Sequence, residues 1–85
     1  MATLKSGVLL AETEYGMALL DQTSAEYWTL NPTGVVILRA LLDGRGLPEA
    51  VDDLTARYDG LDRTEAERDA RDLLAELRTA GLLRP

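Results

Sequence analysis

The sequence predicts an α+β fold in which a three-stranded antiparallel β-meander is followed by three α-helices. Three observations support this prediction. Short apolar and aromatic runs, separated by turn-forming residues, fill the first thirty positions. An Asn-Pro step at Asn31 and Pro32 then interrupts the pattern. Beyond this step, apolar residues recur at the three- and four-residue spacing of amphipathic helices, so strands come first and helices second.

The three predicted strands are joined by short turns. They cover about residues 6–13, 17–20 and 25–30. Tyr15-Gly16 indicates the first turn because glycine adopts positive φ readily, and residues 21–24 are a cluster of turn formers. Two tight connections favour an antiparallel meander with the third strand at one edge. Apolar residues occupy both faces of the first two strands, so alternation leaves open which face meets the core.

The first helix is predicted from Pro32 to Leu42. Asn31 is a good N-cap, since its side-chain oxygen can accept a hydrogen bond from an early helix N–H group. Pro32 suits the first helical position, where no N–H group is needed. Gly44 follows the helix at the place where the backbone must take positive φ.

The second and third helices show their own start and stop signals. Pro48 and Glu49 suit a first turn, and Gly60 ends the second helix. Thr64 and Glu67 fit a capping box at the start of the third helix, which Gly81 ends. The inward stripe of this helix is predicted to be Ala66, Ala70, Leu73, Leu74, Leu77 and Ala80.

The last apolar pair, Leu82-Leu83, is expected to pack back onto the domain. The complete order of elements resembles a winged helix-turn-helix with its sheet placed first. We see no repeat or linker, and therefore expect residues 1–85 to form a single domain.

Composition excludes several functional classes. Hydrophobic residues make up 46% of the chain, which permits a core without a metal or a disulfide. Cys and His are absent, which removes thiol nucleophiles, zinc-finger patterns and the usual general base. No apolar run is long enough to span a membrane, and no signal-peptide pattern is present. We therefore expect a cytoplasmic protein that makes no membrane contact.

Catalysis is poorly supported, so the chain is not expected to be an enzyme. Ser6 and Ser24 have no imidazole to activate them. Gly7, Gly16 and Gly34 do not have the spacing of a phosphate-binding loop, and the acids lack the alternating spacing of a calcium loop. The sequence implies no cofactor and no metal.

DNA binding is the alternative function that the helices suggest, as a small winged-helix transcription regulator. Several arginines lie on or near the third helix, but they are interleaved with at least as many carboxylates. The net charge is −6 and the sequence pI about 4.4. A DNA-reading helix requires a positive field around it, so nucleic acid is not the expected partner.

The third strand is the most informative segment. An open strand edge is usually protected by Lys, Pro or a bulge. Residues 25–30 contain neither Lys nor Pro, and Glu26 is their only charge. Either another element covers this edge, or the edge accepts a strand from a partner through backbone hydrogen bonds.

A row of acids on the third helix is the second candidate feature. Glu65, Asp69, Asp72 and Glu76 follow one another at spacings of four, three and four, which place them on one side of a helix. This row is either a solvated helix face or one rim of a binding groove.

One family resemblance covers nearly the whole chain, through three strands, three helices and a closing Gly-Leu-Leu. The positions that carry it are Asp21, Thr23, Tyr27, the run Leu30-Asn31-Pro32-Thr33-Gly34, residues 37–42 and Gly44. This pattern resembles the PqqD-like family, whose members are leader-peptide recognition domains (RiPP recognition elements) of ribosomally made, modified peptides. As a free-standing domain, the chain looks most like the recognition protein of lasso peptide biosynthesis.

The resemblance implies a function and a site. The family docks the leader of a precursor peptide as an extra strand beside the third strand, in a groove completed by the third helix, without a cofactor. It also implies a separate transglutaminase-like leader peptidase and a cyclase as partners. The residues that the resemblance assigns to peptide binding are Ala25, Glu26, Tyr27, Trp28, Thr29, Leu30, Asp69, Asp72, Leu73 and Glu76. Tyr27 and Trp28 point to opposite sides of the sheet, so at most one of them lines the groove. Leu73 belongs either to the core or to the margin of the groove.

Overall fold

The computed structural model describes residues 3–84. Its elements, in chain order, are β1 (Thr3–Leu4), β2 (Val8–Thr13), β3 (Gly16–Asp21), β4 (Glu26–Leu30), α1 (Pro32–Leu42), α2 (Leu47–Arg57), α3 (Arg63–Thr79) and β5 (Leu83–Arg84). Strands β2, β3 and β4 form an antiparallel sheet in that spatial order, and the three helices follow it. The predicted α+β fold class and the order of strands before helices are confirmed.

Two strands begin later than predicted because the residue before each of them takes positive φ. The first meander strand, β2, begins at Val8 rather than Ser6, since Gly7 takes a φ of +90° in the preceding turn. The third meander strand, β4, begins at Glu26 because Ala25 lies in the turn with a φ of +61°. The prediction of Ala25 as a strand residue is therefore wrong.

The sheet places one face against the helices and leaves the other exposed. Met17 and Leu19 are buried in the core, and their neighbours on β4 are Leu30 and Trp28. On the opposite face, Leu9, Leu20 and Tyr27 form a row across the three strands, and Tyr27 is 70% exposed. The tertiary structure thus answers the question that alternation in the sequence left open.

The residues predicted to start and end α1 do so in the structure. Asn31 Oδ1 accepts a hydrogen bond from the Gly34 N–H group at 2.9 Å, and Pro32 occupies the first helical position. Gly44 follows the helix with a φ of +82°. Its N–H group donates to the Leu41 carbonyl, which satisfies one of the free carbonyl groups in the last turn.

Helix α3 begins with a different cap from the one predicted. Its N-cap is Asp62, whose carboxylate accepts a hydrogen bond from the Thr64 N–H group at 3.1 Å. The Thr64–Glu67 capping box is therefore wrong. Because Asp is as good an N-cap as Ser or Thr, the cap lies two residues earlier than predicted. Glu67 instead pairs with Arg63 at 3.4 Å. Ala80, predicted to face inward, is exposed.

A second, two-stranded sheet joins the two ends of the described chain and was not predicted. Strands β1 and β5 pair antiparallel, and the Lys5 N–H group donates to the Leu82 carbonyl at 2.8 Å. Leu82 is fully buried and Leu83 is 4% exposed, which confirms that this pair packs back onto the core. No helix within residues 3–84 is long and apolar enough to cross a membrane.

Candidate functional site

The free edge of β4 is defined by the hydrogen-bond register of the sheet. Thr13 and Gly16 pair across a two-residue loop, so they exchange both backbone hydrogen bonds. Successive residues of a strand bond alternately to the neighbouring strand on either side. Since Gly16 bonds to β2, the β3 residues that bond to β4 are Met17, Leu19 and Asp21. Their partners on β4 are Leu30, Trp28 and Glu26.

The remaining β4 residues, Tyr27 and Thr29, therefore direct their N–H and C=O groups away from β3. Strand β4 is the last strand of its sheet, and within residues 3–84 no backbone hydrogen bond closes this edge. Of the two possibilities in the sequence analysis, a covered edge and an open edge, the structure has the open edge.

A groove runs between β4 and α3, and it has two halves. The half that we call the acidic half has a volume of about 530 Å³. The other, which we call the apolar half, has a volume of about 460 Å³. The two halves meet at Thr29, Leu30, Leu73 and Glu76, which line both of them.

The acidic half lies where β4 leads into α1. Its lining residues are Thr29, Leu30, Asn31, Thr33, Gly34, Ile37, Asp69, Asp72, Leu73 and Glu76. Three of them are carboxylates and none is a cation. Asp69, Asp72 and Glu76 are exposed and take part in no ion pair among residues 3–84. No group of three acids there, or elsewhere in the described part of the chain, could hold a metal ion.

The apolar half lies beside the middle of β4. Its lining residues are Trp28, Thr29, Leu30, Leu73, Ala75, Glu76, Leu77, Thr79 and Ala80. Trp28 is half-buried, packs against the core and lines this half, whereas Tyr27 lies on the opposite face of the sheet. Trp28 is therefore the aromatic side chain that faces the groove.

Most of the residues expected at the site come together in this groove. Trp28, Thr29, Leu30, Asp69, Asp72, Leu73 and Glu76 all line it. Tyr27 contributes only its outward backbone groups. Ala25 and Glu26 lie outside both halves: Ala25 is in the turn, and the backbone of Glu26 bonds to β3. Glu65, the first acid of the predicted row, also lies outside the groove.

Helix α1 also contributes to the groove, which was not predicted from the sequence. Gly34 is buried beneath the acidic half, where an added Cβ would lie 3.3 Å from Leu30 Cβ and 3.5 Å from Leu73 Cδ2. The Leu30 contact is tight, so α1 and β4 would have to shift by a few tenths of an ångström to admit a side chain at position 34, whereas the Leu73 contact is ordinary van der Waals packing. A glycine inside a helical pattern often indicates a close approach of this kind, and that signal was present in the sequence.

An ion pair orders the turn that leads into β4. The Lys5 Nζ atom lies 2.8 Å from Asp21 Oδ2, and Asp21 Oδ1 accepts a hydrogen bond from the Thr23 N–H group. The Lys5 ammonium lowers the pKa of the buried Asp21 carboxyl below its usual value, and the Thr23 hydrogen bond lowers it further. The Asp21 carbonyl also accepts from the Ala25 N–H group, so the turn is held at both ends.

The fold and the groove define a class of small α+β domain with an open strand edge beside a helix. The family model for coenzyme PQQ synthesis protein D (PqqD) matches residues 16–83. The chain therefore belongs to the PqqD family, as its resemblance indicated. Among the curated proteins, no significant match is found.

Solved structures give a finer comparison. The chain is 40% identical to a structure described as lasso peptide synthetase B1 complexed with the leader peptide, with a TM-score of 0.87 over 99% of this chain and 98% of that one. It is 32% identical to TbiB1 in complex with the TbiA(beta) leader peptide, with a TM-score of 0.82 over 96% and 94% of the two chains. Streptococcus suis SuiB bound to S-adenosylmethionine matches at 19% identity and a TM-score of 0.50, over 98% of this chain and 24% of that one, which shows a shared fold alone.

Proposed function

We propose that this chain binds the leader segment of a ribosomally made precursor peptide, of the lasso type, as an added strand on β4. The single observation that carries the proposal is the open edge at Tyr27 and Thr29, which lies beside a groove lined by α3. The two similar structures both contain leader peptides, and one of them is described as a lasso peptide synthetase B1, which supports the choice of ligand.

The backbone supplies sequence-independent affinity. Tyr27 and Thr29 together offer two N–H donors and two C=O acceptors to an added strand. In the free protein these groups are solvated, so each hydrogen bond contributes only about 0.5–1.5 kcal/mol after exchange with water. The side-chain contacts in the groove must therefore supply the specificity.

The side chains of β4 and α3 form the second part of the proposed site. Trp28, Leu30 and Leu73 present apolar surface to the leader, while Asp69, Asp72 and Glu76 form a charged rim. Exposed rim charges contribute little affinity, but they steer encounter and determine the register of the bound strand.

The proposed role is binding and delivery rather than chemistry. Holding a precursor raises its local concentration at its processing enzymes. The partners that fit this role are a separate, transglutaminase-like leader peptidase and a cyclase, and the proposed setting is the cytoplasm. A transcription regulator is not supported, because the face of α3 beside the groove carries three carboxylates and no cation.

Amide hydrogen exchange tests this proposal residue by residue. We would titrate the isotope-labelled chain with a synthetic leader from the neighbouring precursor gene and follow the exchange of each β4 amide by NMR. The Tyr27 and Thr29 amides should exchange rapidly in the free protein and become protected on binding. The Trp28 amide, already bonded to β3, is the internal control and should change much less.

The same titration has a second readout and a clear negative result. Trp28 is the only tryptophan in the chain and lines the apolar half, so its fluorescence should change with the leader and not with a scrambled leader. Saturable binding without protection of Tyr27 and Thr29 would refute strand addition at β4. If the leader fails to bind at all, the proposed function is wrong.

A further inference from the structure

The chemistry of the groove changes along the direction of β4. Trp28 lies in the apolar half with Leu77 and Ala80, whereas Asn31, just past the end of β4, lies in the acidic half with Asp69 and Asp72. Strand β4 and helix α3 therefore cross the groove in opposite directions. An added strand would meet apolar surface at one end and carboxylates at the other.

The register of β4 determines the spacing between these two environments. Trp28 lines only the apolar half, whereas Leu30 lies where the acidic half begins and lines both; the two residues are two positions apart and point to the same face of the sheet. Two positions along a strand span about 6.8 Å. In a strand paired with β4, the side chains opposite Trp28 and Leu30 point to the same face as those residues, towards α3. These two side chains are consecutive groove-facing residues, at positions i and i+2 of the ligand.

The charges decide what each position accepts. In the acidic half, Asp69, Asp72 and Glu76 have no cationic partner among residues 3–84. A Lys or Arg side chain would be attracted there, and an Asp or Glu side chain would be repelled. In the apolar half, Glu76 at its boundary is the only charged lining residue, so an aliphatic or aromatic side chain would bury its surface against Trp28 and Leu77.

We propose that the groove selects a leader segment in which a basic residue stands two positions from an aliphatic or aromatic residue, with both side chains directed towards α3. The basic side chain occupies the acidic half, and the apolar side chain occupies the apolar half. This inference rests on the proposed function and adds to it the chemical class and spacing of the residues that are recognised. It also assigns Asp69 and Asp72 as specificity-determining residues.

A positional scan of the synthetic leader from the neighbouring precursor gene tests the inference. Each leader residue is replaced in turn by Ala, Lys and Glu, and binding to the full chain is followed by Trp28 fluorescence. We expect one position at which Lys binds about two- to fivefold more tightly than Glu, as expected for partly exposed ion pairs. Two residues away, Ala, Lys and Glu should all weaken binding, because each removes a buried apolar side chain.

Protein variants connect that preference to the acidic half. The double variant Asp69→Asn/Asp72→Asn should lose the preference for Lys over Glu and keep the apolar requirement. The matched control is Glu65→Gln/Glu67→Gln, which removes two charges from the same helix outside the groove and should keep both preferences.

The outcomes separate this inference from the proposed function. If the leader binds but no position shows a charge preference that depends on Asp69 and Asp72, the inference is overturned and leader binding stands. A charge-selective position at any distance other than two residues from the apolar one also overturns it. If the leader does not bind, the proposed function itself has failed.

Discussion

Gly16, at the start of β3, packs directly against Leu30, the last residue of β4. A Cβ atom added to Gly16 would overlap the Leu30 carbonyl oxygen and lie 3.0 Å from its carbonyl carbon. Leu30 immediately precedes Asn31, the N-cap of α1. The glycine therefore allows the sheet and the first helix to meet at the end of the groove.

Gly16→Ala should destabilise the protein strongly because the overlap is with backbone, which cannot rotate away. We expect a loss of more than about 2 kcal/mol in the free energy of unfolding, measured by urea titration with Trp28 fluorescence. The control is Gly60→Ala, at a φ of +79° with no atom within 4 Å of the added Cβ. It should cost only the conformational strain of about 1–2 kcal/mol. Equal losses for the two variants would contradict the packing argument.

Thr29→Pro should weaken leader binding while the protein stays folded. Proline lacks the N–H group that Thr29 directs to the open edge, and proline is tolerated on the solvent side of an edge strand. Loss of one backbone hydrogen bond predicts about a three- to tenfold higher Kd, measured by fluorescence anisotropy with a labelled leader. In the control, Trp28→Pro, the missing N–H group is one that bonds to β3, so this variant should misfold. Unchanged affinity in a folded Thr29→Pro variant would count against strand addition.

Asp72→Arg should weaken binding of a leader that carries a basic residue and leave stability within about 0.5 kcal/mol, since Asp72 is exposed. The affinity loss should shrink as salt rises, because exposed charges are screened over about 8 Å at physiological ionic strength. Glu65→Arg makes the same change in net charge outside the groove and should affect binding much less. A parent chain that discriminates among DNA duplexes and ignores the leader would instead support the regulator.

Asp21 should make stability depend on pH at the acidic end. Its pKa in the folded protein is lowered by Lys5, so its stabilising contribution is present above the unfolded pKa of about 4 and is lost as pH falls through the lower folded value. Asp21→Asn should therefore be less stable than the parent near pH 7, with a difference that narrows by pH 3. Urea titrations at both pH values measure this. Lys5→Met removes the ammonium that lowers the Asp21 pKa, so the stability of this variant should also fall less than that of the parent between pH 7 and pH 3. A difference in stability from the parent that is the same at both pH values, in either variant, would be inconsistent with the ion pair.

The purified chain alone should leave a precursor peptide chemically unchanged. The sequence contains no Cys and no His, so the chain lacks a thiol nucleophile and the usual general base. Mass spectrometry of the precursor after incubation with the chain should show the starting mass. The control is the same incubation with the leader peptidase added, which should release the leader. Cleavage or dehydration by this chain alone would overturn the assignment as a binding module.

Local signals in the sequence were sufficient to predict the order of the elements and the point at which β4 ends and α1 begins. The Asn31-Pro32 step determined where the sheet ends and α1 begins, because an N-cap and an N1 proline act within a few residues. The lack of Lys and Pro in β4 indicated an edge without the usual protective residues, and the sheet then showed that no other strand within residues 3–84 covers it. Where two local caps competed, as at Asp62 and Thr64, the sequence prediction placed the N-cap two residues too late.

The tertiary structure alone decided the rest. The pairing of β1 with β5 joins segments about eighty residues apart, and two-residue strands carry no periodicity in the sequence. The choice of Trp28 over Tyr27 for the groove depended on which sheet face packs on the helices, and both faces are apolar. Sequence determines local conformation through short-range sterics and hydrogen bonds, whereas the groove is formed by surfaces that meet only after the chain has folded.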